Sequence, residues 1–168
     1  LTMSTGCGDD FLLLSPVSST SESTLSTPEG VDQLLTGAYS TLNSMLSSAG
    51  GMGEASLTNW VWGDIVGGDA NKGSTASDQP DLTQLETWSW SSENSYIKNR
   101  WDAVYESVKR CNNVISLATR LADQLPNAAD IIAQAQFLKG FWMFEGIRIY
   151  GPAIPYVSVE DYETSTDP

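Results

Sequence analysis

Histidine is absent from the 168-residue chain, and cysteine occurs only twice, at Cys7 and Cys111. Without histidine the chain lacks the most common general base, the most common metal ligand and the usual partner of a serine or cysteine nucleophile. Two cysteines make neither a disulfide framework nor a zinc site. The composition therefore favours a protein that binds rather than reacts, and we expect no catalytic residue, no metal site and no cofactor.

Basic residues are also scarce. The chain has 8 Lys and Arg against 21 Asp and Glu, which gives a formal net charge of −13. A surface of this sign repels polyanions, so we expect no nucleic-acid partner. No apolar run approaches the roughly 18 residues that a membrane-spanning helix needs. Hydrophobic residues nevertheless make up 40% of the chain, which is enough to bury a core.

Three stretches have the apolar periodicity of amphipathic helices. The first helix is predicted over residues 29–47, with Ser26 or Thr27 as its N-cap and Pro28 suited to its first turn. The others are predicted over residues 94–124 and 128–149. The pattern predicts an all-α fold.

Residues 48–93 lack helical periodicity and are rich in Gly, Ser, Thr, Asp and Asn. A long irregular connection in a compact domain is often functional, and four tryptophans in this one need something to pack on. The third predicted helix is apolar on more than one side, because Phe137, Phe144 and Ile147 add a second face. We therefore expect this helix to be buried among others, with Gly140 and Gly146 as points of close approach.

Several patterns occur in a fixed order along the chain. They are Cys7 followed by DDFLLLSP at 9–16, LTGAY at 35–39, WDAVYESVKRCNN at 101–113, AQFLKGFWMF at 135–144 and YGPAIP at 150–155. Together they resemble the N-terminal part of the SusD/RagB-like family of outer-membrane nutrient-binding lipoproteins. The resemblance extends over about residues 7–157.

This resemblance implies a tetratricopeptide-like helical scaffold with long irregular loops. It also implies a non-enzymatic lipoprotein that binds oligosaccharides at the outer surface of the outer membrane and delivers them to a SusC-like TonB-dependent transporter. Residues 1–6 would be the remnant of a signal peptide, and residues 7–27 a tether lipid-anchored through Cys7. Residues 28–168 would form an N-terminal helical domain that is truncated, because family members are much longer.

Sugar rings present apolar faces edged by hydroxyl groups, so a sugar-binding site needs flat aromatic side chains with polar groups at their margin. Residues 48–93 contain both types, with Asn94 directly after them. Tryptophans two residues apart in extended chain face opposite sides, so one of each pair should pack inward, and Trp90 is the one expected in the core. The candidate ligand-binding residues are Trp60, Trp62, Asp64, Asp69, Asn71, Trp88 and Trp90.

Other interpretations stay open. The chain can be a structural helical module that binds the transporter, with glycan or peptide contacts in a missing C-terminal region, or a secreted glycoside hydrolase. Asp69 and Asn71 give only a hint of a calcium loop, because no glutamate closes it. We expect Trp101 and Tyr105 to belong to the core, and Cys111 to be a small buried hydrophobic residue.

Overall fold

The structure, a computed structural model, describes residues 25–43 and 59–164, with side chains up to residue 161. Cys7, most of the tether, and residues 44–47 of the first predicted helix lie outside the described residues. The described ranges contain helices and loops but no strand, which confirms the all-α prediction. In chain order the helices are α1 (Pro28–Ser40), α2 (Pro80–Glu86), α3 (Ser95–Arg120), α4 (Ala128–Tyr150) and α5 (Val159–Thr164).

Helix α1 begins where the sequence predicts. Thr27 is its N-cap, and the Thr27 Oγ1 atom accepts a hydrogen bond from the Gly30 N–H at 3.1 Å. Pro28 occupies the first turn, where its missing N–H costs nothing, and Glu29 faces the positive end of the helix dipole. The α-helix ends at Ser40 and tightens into a 3₁₀ turn over Thr41–Asn43.

Helices α3 and α4 form an antiparallel pair, and α1 packs across both. A 3₁₀ turn at Ala122–Gln124 lies in the short connection between α3 and α4. The Arg110 guanidinium donates to the Gly37 carbonyl at 3.2 Å, and the indole N–H of Trp142 donates to Thr41 Oγ1 at 2.9 Å. The main core between the three helices consists of Val31, Ala38, Cys111, Val114, Leu117, Ala118, Leu125, Ala128, Ile131, Ala135 and Leu138.

Helix α4 was expected to be buried on more than one side, and for the described part of the chain this expectation is wrong. Phe137 is 73% exposed, and Phe144 and Ile147, seven and ten residues further on, are also exposed. This spacing puts the three side chains on one face. Within the described ranges α1 and α3 pack against the other faces of α4, so this apolar face stays uncovered.

The segment after α4 folds back over the helix pair. The amide nitrogen of Asn112 donates to the carbonyls of Val157 and Ser158, so this buried side chain holds the backbone of the returning segment. A Cβ on Gly146 would lie 2.8 Å from the end of the Ile154 side chain and 3.3 Å from Val104 of α3, so the close approach expected at Gly146 is present. Among the described residues Gly140 has no such neighbour, so the same expectation is wrong for it there.

Residues 59–93 contain more regular structure than their composition indicates. Residues 59–67 form a helical segment with a π-helical turn at Val61–Ile65, and Pro80–Glu86 forms α2. The apolar side chains of these short elements pack against Tyr96, near the start of α3. Two turns of helix are too short to produce a recognisable periodicity, which is why an irregular loop was predicted.

A buried ion pair joins the two long helices. Arg100, 1% exposed, donates from Nη2 to Glu145 Oε2 at 2.9 Å and to Asn59 Oδ1 at 3.0 Å. The second oxygen of Glu145 accepts from Arg148 at 2.7 Å. Burial lowers the pKa of the Arg100 guanidinium and the Glu145 carboxylate raises it. The Arg100 guanidinium therefore connects α3, α4 and the 59–67 helical segment.

Replacing Glu145 with glutamine should destabilise the protein by about 3 kcal/mol, because the Arg100 charge would remain buried without its counter-charge. The matched control is Asp102→Asn, which breaks the exposed ion pair between Lys98 and Asp102 and should cost less than about 1 kcal/mol. Urea unfolding followed by circular dichroism measures both. Equal losses in the two variants would contradict the assigned role of Glu145.

Candidate functional site

The segment that carries four tryptophans is held by a small core of its own. Val61 and Ile65 of the helical segment, Leu82 and Leu85 of α2, and Tyr96 of α3 are all buried together. The hydroxyl of Tyr96 also donates to Gln79 Oε1 at 2.6 Å. This core fixes the two short helices against α3, so the side chains on their outer surface are presented from a defined backbone.

Trp88 adopts a backbone conformation that is unfavourable for any residue with a Cβ atom. Its φ is +55°, in the left-handed region. Its N–H donates to the Leu85 carbonyl at 3.3 Å, and the Ser89 N–H donates to the Gln84 carbonyl at 2.9 Å. These two bonds define a Schellman motif at the end of α2, and Trp88 occupies the position where glycine is usual. A large side chain is therefore kept at a strained position.

The indole of Trp88 is also the most exposed of the four, at 66%. Its Nε1–H donates to the Val66 carbonyl at 3.0 Å, which orients the ring against the end of the 59–67 helical segment. There the Asp64 carbonyl accepts the N–H groups of Asp69 and Ala70, at 2.8 and 3.0 Å, and closes a tight turn. The side chains of Asp64 and Asp69 are exposed, so two carboxylates lie within three residues of the Val66 carbonyl that orients the indole.

Trp60 and Trp62 lie on a helical turn rather than in the extended chain assumed from the sequence. Positions two apart on a helix also point in nearly opposite directions, so the predicted division still holds. Trp60 is exposed and Trp62 is partly buried against the small core. The Trp62 Nε1–H has no hydrogen-bond partner among the described residues.

Trp88 and Trp90 do not divide in this way. Both are exposed, Trp90 at 43%, so the expected core role of Trp90 is wrong for this chain. The alternation of sides requires a regular backbone, whether extended or helical, and the left-handed conformation of Trp88 interrupts it. No contact described here joins Trp90 to the group formed by Trp88, Asp64 and Asp69.

Two polar candidates have local structural contacts. The Asn71 side-chain oxygen accepts the Gly73 N–H at 2.7 Å, which makes a local turn, while the residue itself is exposed. Asn94 is buried and is the N-cap of α3, where its Oδ1 accepts the Tyr96 N–H at 3.1 Å. Its Nδ2 donates to the Asp81 carbonyl at 2.8 Å, so Asn94 positions the site rather than lining it. Among the described residues no three His, Cys, Asp or Glu side chains come together as a metal site would require.

Trp101 is a second tryptophan that sequence reasoning assigned to the core and the structure exposes. Trp101 is 36% exposed, and its indole packs against Tyr105 and Tyr150. The sequence offered a signal, because the charged residues Lys98 and Asp102 lie on the same part of the helix. By contrast, Cys111 is buried as predicted, and burial raises the pKa of its thiol to about 11.

The fold and the site define a class of protein: a helical protein with tryptophans exposed on its surface. No helix in the described ranges is both long enough and apolar enough to cross a bilayer. A SusD-like family model, described as "Starch-binding associating with outer membrane", matches residues 10–167. The chain therefore belongs to the SusD-like family. Searches of curated proteins and of solved structures gave no match.

The left-handed conformation of Trp88 can be tested by comparing Trp88→Gly with Trp88→Ala. Both variants lose the hydrogen bond to Val66, but only alanine keeps the strain, so the glycine variant should be more stable by about 1 kcal/mol. The control exchange is at Ala133, an exposed position within α4, where glycine should instead cost about 1 kcal/mol. Urea unfolding measures each difference. An alanine variant as stable as the glycine variant would contradict the strain.

Proposed function

We propose that the protein captures oligosaccharides at the outer membrane through the exposed indoles of its 59–90 segment, without acting on them chemically. The observation that carries the proposal is Trp88, which is 66% exposed in a backbone conformation that favours glycine. Strained residues are concentrated at functional sites, where the surrounding structure holds them for a purpose. The description of the matching family includes starch binding, which supports a sugar as the ligand.

The chemistry of the site suits a pyranose ring. An open indole face packs on the C–H face of a sugar, and its fixed orientation reduces the conformational entropy lost on binding. The carboxylates of Asp64 and Asp69 accept hydrogen bonds from hydroxyl groups, and the exposed amide of Asn71 can donate to them. Trp60, Trp62 and Trp90 stay in the proposal as further candidate aromatic contacts.

The proposal assigns no catalytic step to this region. Glycoside hydrolysis needs two carboxyl groups facing one glycosidic bond, with one of them kept protonated in an apolar environment. Among the described residues Glu145 is the buried carboxylate, and it contacts both Arg100 and Arg148. These two ion pairs give the Glu145 carboxylate a structural role between α3 and α4.

The sugar-binding role can be tested with maltoheptaose and isothermal titration calorimetry. Trp88→Ala and Trp60→Ala should each weaken binding by about tenfold, which corresponds to about 1.4 kcal/mol of lost aromatic contact. Phe137→Ala is the matched control, since it removes an equally exposed aromatic ring from α4, and it should leave affinity unchanged. Unchanged affinity in the Trp60, Trp62 and Trp88 alanine variants would place the sugar site elsewhere.

Anchoring and delivery form a further part of the proposal. We propose that the Cys7 thiol carries lipid and that the protein passes its ligand to a SusC-like TonB-dependent transporter. A small residue, Gly6, precedes Cys7 and would admit a signal peptidase, and acidic residues follow it. The family description, which includes association with the outer membrane, supports a membrane attachment.

Replacing Cys7 with serine should move the protein from the outer-membrane fraction to the soluble fraction of cells that produce the whole protein. The physical reason is that each buried lipid methylene contributes about 0.8 kcal/mol to membrane binding. Cys111→Ala is the matched control, because Cys111 is buried in the core and should not affect fractionation. Immunoblots of the fractions give the readout, and retention of the Cys7→Ser variant in the membrane would overturn the anchor.

A second candidate function is favoured by the uncovered apolar face of α4. Phe137, Phe144 and Ile147 form this face, and exposed apolar patches of this kind are typical of protein interfaces. In this alternative the chain is a helical module that grips the transporter, and the ligand contacts lie in a C-terminal region. A Phe137→Ala/Phe144→Ala variant would then lose co-purification with the transporter, while Trp88→Ala would not change sugar affinity.

A further inference from the structure

Helix α3 carries an aromatic cluster outside the 59–90 segment. The centroid of the Trp101 ring lies 4.7 Å from that of the Tyr105 ring, at an interplanar angle of 43°. It lies 5.1 Å from the centroid of the Tyr150 ring, at an interplanar angle of 82°. Tyr105 is one turn further along the same helix, and Tyr150 is the last residue of α4. The Trp101 indole is therefore braced by rings from two helices while 36% of the residue stays exposed.

The two tyrosines are themselves fixed. The Tyr105 hydroxyl donates to the Pro155 carbonyl at 2.8 Å, and the Tyr150 hydroxyl donates to the Ile97 carbonyl at 2.6 Å. Burial raises the pKa of both phenols, so both stay protonated and keep donating at neutral pH. A ring packed against fixed neighbours loses little freedom when a ligand binds to it, so Trp101 is preorganised.

Charged groups of opposite sign lie on the same part of α3 as Trp101. Lys98 precedes Trp101 by three residues and Asp102 follows it directly, and the two side chains form an exposed ion pair. An exposed pair of this kind contributes little to stability. It does place an ammonium donor and a carboxylate acceptor within one turn of Trp101 on α3, and the pair carries no net charge. This combination complements the hydroxyl rim of a neutral sugar better than it complements an anion or a cation.

The cluster is connected to the site already described. Arg100 and Asn59 are joined by a hydrogen bond of 3.0 Å, and the residues that follow them are Trp101 and Trp60. Ile97, one turn before Trp101, packs against the small core under the 59–67 helical segment. The start of α3 and the segment bearing Trp60 therefore form one packed unit.

We infer that Trp101, with Lys98 and Asp102 at its margin, is a second sugar-binding platform that holds another pyranose ring of the same neutral oligosaccharide. This inference rests on the proposed function and extends it by assigning a site on α3 rather than in the loop. Two platforms on one rigid unit make the second contact intramolecular, so a longer oligosaccharide gains affinity over a short one.

Indole N–H signals in ¹⁵N-correlated NMR spectra test this inference in the full chain. The six tryptophans give six indole signals, each assigned from a single Trp→Phe variant. During titration with maltoheptaose the Trp101 signal should shift together with that of Trp88 or Trp60. The signal of Trp142, which is 1% exposed, should stay fixed and is the internal control.

A variant series supplies the second readout. Trp101→Phe keeps an aromatic contact with both tyrosines, and Lys98→Ala/Asp102→Ala removes the polar margin without touching the cluster. Each should weaken maltoheptaose binding at least threefold and weaken maltotriose binding less, with a thermal midpoint close to that of the unaltered protein. Phe137→Ala again provides a matched loss of an exposed ring and should change neither affinity.

The outcomes separate the two proposals. A shift of the Trp88 or Trp60 signals with a stationary Trp101 signal, and unchanged affinity of both Trp101-site variants, would overturn the second platform and leave the proposed function standing. If maltoheptaose moves no indole signal and releases no heat, sugar capture by these tryptophans fails, and the second platform fails with it.

Discussion

The contact between the Arg100 guanidinium and the Glu145 carboxylate is the constraint on which the arrangement of α3, α4 and the tryptophan-bearing segment depends. Burying a charge is costly unless a partner of opposite sign and further hydrogen bonds compensate. Arg100 meets this requirement through Glu145 and Asn59, while Glu145 also accepts from Arg148. A slip of one helix past the other would leave these groups buried without partners. The ion pair therefore specifies a register that apolar packing alone would leave less defined.

The site follows from this arrangement because it is built on the same elements. Asn59, which Arg100 contacts, directly precedes Trp60, and the small core under that segment includes Tyr96, near the start of α3. The surface proposed to bind sugar is therefore part of the packed domain, although its composition is that of a loop. On this surface Trp88 is held in a conformation that lowers local stability. It occupies the glycine position of a Schellman motif and remains exposed, a combination that folding stability alone does not favour.

Much of the fold could be predicted from the sequence. Helices α3 and α4 begin and end within a few residues of their predicted bounds, and α3 ends earlier than predicted because a 3₁₀ turn follows it. Thr27, one of the two candidate N-caps, is the N-cap of α1. Periodicity and caps depend on neighbours within a few positions, which the sequence contains. Helix α2 was missed because seven residues carry too little periodicity. For the candidate site, the sequence predicted the residue types but not which of their side chains face solvent. The sequence placed Trp90 inward and Trp101 in the core, and both are exposed.

The sequence by itself determined the helical class, the family and the kind of chemistry available, because composition, periodicity and ordered motifs are properties of the chain. Tertiary structure alone decided which indoles face solvent. The exposure of Trp88 depends on a left-handed residue and on a hydrogen bond to Val66, 22 positions earlier. The position of Trp101 beside the end of α4 depends on contacts with Tyr150, 49 positions away. Contacts between distant segments form only when the chain packs, so no local pattern could have indicated them.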